Sequence, residues 1–185
     1  MKTLPPACEE RFRSLFADAY EDVLRFAKRR IDRAQAEDVV AEAFLVAWRR
    51  IEDAPANPGD RRAWLFGIAR HCLLNDRRGQ GRQRALAVRL ADARPGRGQT
   101  DALDPELVAF RLDLVAAWGA LGAAEQEVLA LAVFEGLTSR QAGRVLGVTA
   151  VAYRLRLGRA RHALRRQLDR PRPSAAHVST VEEPA

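Results

Sequence analysis

Arginines are the residues in this chain best suited to chemistry. Between Ser139 and Arg170 there are nine of them, at 140, 144, 154, 156, 159, 161, 165, 166 and 170, against one acid, Asp169. The stretch therefore carries 9 − 1 = +8, while the whole chain carries 31 − 24 = +7. A guanidinium is a planar fork of donors that clamps a phosphate and pairs bidentately with guanine. So concentrated an array predicts an acidic partner lying against it. The plain alternative is an arginine-rich helix that does no more than face water.

Other chemistries find no residues to carry them. The three histidines, at 71, 162 and 177, have no metal-ligand spacing, and no nucleophile–base pair or phosphate-cradling glycine loop is present. No enzyme, metal or cofactor is expected. Cys8 and Cys72 are too few for a disulfide framework and favour a reducing cytoplasm.

Two helices must position the arginines. Thr138 or Ser139 can cap a short helix running to Val145 or Leu146, and small Ala142 and Gly143 allow close approach of another helix. Gly147 permits a tight turn and Thr149 can cap the next helix, with Leu146, Val148 and Tyr153 filling the space between. This is helix–turn–helix spacing, in which the second helix enters the major groove. That helix exposes Arg154, Arg156, Arg159, Arg161, Arg165 and Arg166.

Upstream the patterns are also helical. Phe12, Leu15, Phe16, Ala19, Val23, Phe26, Ala27 and Ile31 form one apolar stripe on one or two joined helices. Val40, Ala43, Phe44, Ala47, Trp48 and Ile51 form a second, whose outer face begins with Glu37, Asp38 and Glu42 and ends with Arg49 and Arg50, matching the helix dipole. Residues 52–60, with two prolines and a glycine, predict a loop. A third helix over 61–78 turns Trp64, Leu65, Ile68, Ala69, Cys72 and Leu73 inward and Arg62, Arg70, His71, Asn75, Arg77 and Arg78 outward.

Residues 79–104 hold four glycines and a proline and read as a linker, with a helical turn or two between Ala85 and Ala91. Asp104 and Pro105 suit a helix start, and two amphipathic helices follow on either side of Gly122. The last residues have three prolines and no period, which predicts disorder. The expected fold is all-α. Two small helical domains, 8–80 and 104–170, are joined by a flexible linker, 81–103, and followed by a tail, 171–185. Apolar content of 48% is enough for a core, no apolar run approaches the ~18 residues of a membrane span, and no signal-peptide core is seen near Met1.

Taken together, "FRSLFADAYEDVLRFAKRR", "AEDVVAEAFLVAW", "RAWLFGIARHCLLNDRRG" and the stretch from "LGAAEQEVLALAVFEGLTSRQAGRVLG" to Leu168 resemble the extracytoplasmic-function sigma factors of the sigma-70 family. The resemblance covers about residues 10–80 and 105–168. It implies a cytoplasmic initiation factor without catalysis of its own, whose partners are core RNA polymerase, promoter DNA and an anti-sigma factor. By position it assigns Glu37, Asp38, Glu42 and Arg49 to polymerase docking. Loop 52–60, with Asn57, would capture a base flipped out of the −10 element. Arg62, Arg70, His71, Asn75, Arg77 and Arg78 would lie along that element. Thr149, Arg154, Arg156, Arg159 and Arg161 would meet the −35 element. The loop reads Ala54-Pro55-Ala56-Asn57-Pro58 where the family often has an aromatic–arginine pair, and His71 stands where asparagine is common. Tyr153 and Leu155 also depart from the family pattern. A stand-alone helix–turn–helix regulator would need only the second unit. A gel shift separates the two readings, because a sigma factor of this type binds promoter DNA poorly without core polymerase.

Overall fold

The computed structural model describes residues 6–79, 88–90 and 104–170, with residues 77–79 described by their backbone alone. The tail and all of the linker except 88–90 lie outside the described residues. Seven helices and no strand are found among those described. In the first unit they are α1 (Pro6–Lys28), α2 (Arg33–Arg49) and α3 (Pro58–Gly79). In the second they are α4 (Pro105–Gly119), α5 (Ala123–Val133), α6 (Ser139–Leu146) and α7 (Ala150–Leu168).

The first stripe becomes a single helix, α1, that buries Leu15, Ala19, Val23, Phe26 and Ala27. Phe16 departs from the expected stripe and is 43% exposed. It sits at the rim of an aromatic cluster, its ring 5.1 Å from Tyr20 and 4.8 Å from Phe44. Helix α2 buries Ala36, Val39, Val40, Ala43, Phe44 and Ala47 against its neighbours.

The loop expected over 52–60 is shorter than its prolines suggested. Ile51–Asp53 form a 3-10 turn, and α3 already starts at Pro58. A proline at the first helical position loses no bond and has its φ preset for the helix. Asn57 Oδ1 accepts from the Asp60 amide at 3.1 Å, capping the start. Proline here marks a beginning, not a break.

In the second unit Asp104 caps α4 by accepting from the Glu106 amide at 3.0 Å. Helix α5 is not amphipathic in the expected sense: Gln126, Glu127, Val128, Leu129, Ala130 and Leu131 are all buried. It packs on α7 and α6, and its Glu127 pairs with Arg30 and Arg70 of the first unit. Helices α3 and α6 lie directly against each other, and the buried apolar residues of both units form one continuous core.

Residues Val88–Leu90 are not helical, contrary to the turn expected there, because their backbone groups bond elsewhere. The Val88 amide donates to Gln126 Oε1 at 3.0 Å and its carbonyl accepts from Trp118 Nε1 at 2.6 Å. The Arg89 amide donates to the Arg29 carbonyl at 2.8 Å. These linker residues are held by both units at once.

Candidate nucleic-acid interface

Thr138, Gly143, Gly147 and Thr149 build the helix–turn–helix. The Thr138 hydroxyl accepts from the Gln141 amide while the Gln141 side chain accepts from the Thr138 amide, a reciprocal cap on α6. Gly147 ends α6 at φ +68°, the left-handed region where an L side chain is strained. The Thr149 hydroxyl accepts from the Ala152 amide at 3.1 Å and opens α7. A Cβ on Gly143 would lie 2.7 Å from the Val148 carbonyl oxygen, so only glycine fits where α6 meets the turn. Tyr153 is buried beneath, its hydroxyl donating to the Val128 carbonyl at 2.9 Å. Burial pushes that phenol up to about 12, against the nearby charge of Arg161.

With Tyr153, Leu157, Ala160 and Ala163 facing inward, α7 leaves Arg154, Arg156, Arg159, Arg161, Arg165 and Arg166 exposed, as its period predicts. Leu155 is 59% exposed beside them and packs on nothing in the core. Thr149 is exposed, and its hydroxyl is already used as a cap.

The first unit gives a mixed result. His71 and Asn75 are exposed on α3, while the side chains of Arg77 and Arg78 lie outside the described residues. Arg62 and Arg70 do not face solvent as expected. Arg62 Nη1 donates to the Glu135 carbonyl at 2.8 Å, Arg62 also pairs with Asp22, and its guanidinium lies 4.9 Å from the Phe66 ring centroid. Arg70 Nε lies 3.8 Å from Glu127. Both are turned into the seam between the units. The reason lies outside α3: carboxylate and carbonyl acceptors on the second unit lie within reach, and a guanidinium turns toward them. Asn57 is exposed but its side chain serves as the α3 cap, and Arg61 ties down the loop by donating to the Pro55 and Ala56 carbonyls at 3.1 and 2.8 Å. Trp64 is half-buried and packs on the core. Cys72 is buried, and burial, reinforced by Glu42, pushes its thiol up to about 11.

Glu37, Asp38, Glu42 and Arg49 all stand exposed along α2. Beside them runs an open apolar groove lined by Phe12, Phe16, Phe44, Leu45 and Trp48. Leu45, 57% exposed, was missed in the sequence. Its signal was there: it is apolar yet falls off the stripe of Phe44, Ala47, Trp48 and Ile51.

The seam itself was also missed. Arg30 is 1% exposed and its Nε donates to Glu127 Oε2 at 3.0 Å. Arg29 Nη1 donates to Glu135 Oε1 at 3.3 Å. At the other end of α3, Asp60 receives Arg140 Nη2 at 2.7 Å and Gln141 Nε2 at 3.1 Å and pairs with Arg144 at 3.2 Å. The Gln141 bond, with the charges of Arg140 and Arg144, holds the Asp60 carboxyl below its ordinary value. Burial pushes Glu135 above its own, against the opposing charges of Arg30, Arg29 and Arg62.

Comparison with known proteins places this geometry. Residues 15–83 match the model of Sigma-70 region 2, which is the first unit. Over 154 residues the chain is 30% identical to ECF RNA polymerase sigma factor SigL of Mycobacterium tuberculosis, covering 83% of this chain and 86% of that protein. The chain belongs to the sigma-70 family, among the ECF RNA polymerase sigma factors. A second relative, RNA polymerase sigma factor CnrH of Cupriavidus metallidurans, is 34% identical over 151 residues, 75% of this chain and 76% of that one. The fold is similar to that of the sigma factor RpoE solved with the anti-sigma factor NepR from Bartonella quintana. The TM-score is 0.59 at 25% identity, over 86% of this chain and 98% of that one. It is also similar to CnrH solved with the cytosolic domain of CnrY, with TM-score 0.54 at 26% identity over 85% and 87%.

The likeness runs through both units, so the stand-alone regulator is not favoured. This sigma factor binds core RNA polymerase and directs it to promoters. No helix among the described residues is long and apolar enough to cross a membrane.

Proposed function

We propose a division of labour between the two units of this sigma factor. The acidic face of α2, which begins at Arg33 with no acid in its first turn, docks on core polymerase through Glu37, Asp38, Glu42 and Arg49 and the aromatic groove beside them. Loop 54–57 and the outer face of α3, with His71 and Asn75, meet the −10 element. Arg62 and Arg70 join them when the units part. Helix α7 reads the −35 element with Arg154 and Arg156, while Arg159, Arg161, Arg165 and Arg166 take phosphates. The contribution to initiation is melting without catalysis, in which duplex stacking is exchanged for contacts to a single strand. The site of action is the cytoplasm, and an anti-sigma factor is the expected regulator, since the solved RpoE above is held by one.

One observation carries the reading. Six arginines are exposed together on the second helix of a helix–turn–helix whose turn, caps and buried tyrosine are all in place. Early turns of a groove-inserted helix reach base edges and later ones the backbone. The test is holoenzyme affinity for matched and mutated upstream elements at several salt concentrations. Arg154→Ala or Arg156→Ala should cost ~1–3 kcal/mol and relax preference at one base pair. Replacing Arg165 or Arg166 should weaken all sequences alike and lower the salt slope by about one unit. Unchanged affinity and preference in the Arg154 and Arg156 variants would remove α7 as the reader.

A further inference from the structure

Arginines do not make up the whole outer face of α7. From Val151 to Arg166 every exposed position holds either an arginine or one of four others, Val151, Leu155, Gly158 and His162. These four follow one another at steps of four, three and four residues, the period that stacks positions in one row along a helix. By the same period Arg154, Arg161 and Arg165 flank the row on one side, and Arg156, Arg159 and Arg166 flank it on the other. A ridge free of arginine therefore runs along the middle of the basic face.

The ridge begins apolar. Val151 is 57% exposed and Leu155 59%, a pair one turn apart at the start of the helix. Either alone would be ordinary. Together they lie between two rows of guanidinium groups, where an apolar protein surface could not cover them without stranding charge. Further on, at Gly158, the ridge has no side chain at all. Glycine in the middle of a helix weakens it, and nothing within the protein requires it here. A Cβ on Gly158 would meet no atom within 4 Å, unlike one on Gly143, and its φ is not positive, unlike that of Gly147. A bare backbone on the outward ridge serves a partner that comes close to the helix.

Duplex DNA has the matching shape. The major groove is about 12 Å wide and a helix with its side chains about 10–12 Å across. A helix lying in the groove turns its flanks to the phosphate walls and its middle ridge to the floor. The apolar group on that floor is the C5 methyl of thymine. One turn carries Leu155 about 6 Å beyond Val151, against about 3.4 Å for each base-pair step. The pair therefore reaches bases no more than two steps apart.

We propose that Val151 and Leu155 read the methyl groups of two thymines, at most two base-pair steps apart, in the −35 element. Gly158 lets α7 sit deep enough for them to reach. The flanking arginines hold the helix in the groove, and the ridge adds a preference for A·T pairs that phosphate contacts do not supply. The inference rests on the reading of α7 as the −35 helix.

The experiment is holoenzyme affinity for a promoter that it transcribes in run-off assays, with each thymine of the −35 element replaced in turn, on either strand, by deoxyuridine. That exchange keeps the pairing and every hydrogen-bonding edge and removes only the methyl. Wild type should lose affinity about fourfold at two positions, the factor for one buried methyl-sized group. Leu155→Ala should bind thymine and deoxyuridine alike at one of them, and Val151→Ala at the other. Alanine is the best helix former, so α7 should remain folded in both. Gly158→Leu should weaken binding to every −35 sequence by about tenfold or more, with the helical circular-dichroism signal unchanged.

Fewer than two methyl-sensitive positions would overturn the proposal, as would a methyl preference that survives in both alanine variants, or undiminished binding by Gly158→Leu. If Arg154→Ala and Arg156→Ala still lower affinity in any such case, α7 remains the −35 helix and only its apolar edge is lost. If they do not, the reading of α7 itself falls.

Discussion

Arg30 Nε and Glu127 Oε2 lie 3.0 Å apart, both buried, and are separated by 97 positions in the chain. The same guanidinium donates to the Phe26 carbonyl at 2.7 Å and lies 3.5 Å from the Phe26 ring centroid. Removing one partner of a buried pair strands the other and costs about 3–5 kcal/mol. Arg30→Met and Glu127→Leu should each destabilise the chain strongly in urea unfolding, and the double variant should lose much less than the two losses added. Additivity within about 0.5 kcal/mol would mean that the pair is not coupled.

Gly143 and Gly158 should respond in opposite directions. Alanine at 143 would press on the Val148 carbonyl, a backbone atom that the turn cannot easily move, and should cost about 1–3 kcal/mol. Alanine at 158 meets nothing within 4 Å in the middle of α7 and should stabilise by roughly 0.5–1 kcal/mol. Thermal unfolding of the two variants reads both signs.

Stability should fall as pH rises above the ordinary glutamate value of 4.5, and Glu135 should be the cause. Its carboxyl is raised by burial, so the packed chain holds a proton that the unfolded chain has released. The stabilisation is fully present below 4.5 and is lost as pH climbs through the raised value. Asp60 works the other way: lowered by its partners, it contributes above 3.8 and is lost only as pH falls through its depressed value. Just above 4.5 it adds no slope. Melting temperatures of wild type and Glu135→Gln should lie together below 4.5 and separate as pH rises, wild type falling below the variant, and parallel curves would clear Glu135.

Cys72 should resist alkylation at about pH 8 in the folded chain, because only the thiolate reacts and burial holds its thiol near 11. Cys8 is half-buried near the start of α1 and should be labelled first. Mass spectrometry of the native and unfolded chain after iodoacetamide treatment separates the two sites.

Reversing Asp38 and Glu42 to lysine should lower capture of core polymerase on the order of tenfold, since both charges stand exposed on the proposed docking face. The helical circular-dichroism signal should be unchanged, because neither side chain packs in the core. A folded, charge-reversed chain that still binds fully would rule this face out.

Local chemistry made much of this protein readable without coordinates. Helical period placed the inward faces of α1, α2, α3 and α7, and the cap and turn residues Asp104, Thr138, Gly147 and Thr149 marked boundaries, because each acts on backbone groups within a few positions. The exposure of the six α7 arginines followed from the same short-range logic, as did the family resemblance. Arg62 and Arg70 were misread as solvent-facing for the converse reason. Their partners Glu135 and Glu127 lie 73 and 57 positions downstream in sequence, and helical period says which side a residue takes but not what will cover it. Glu127 inside an apolar run, Arg30 beyond the end of a helix and Val88 in a linker carry no local sign of burial. Only the packing of α3 on α6, which brings distant charges into one low-dielectric seam, decided that they belong together.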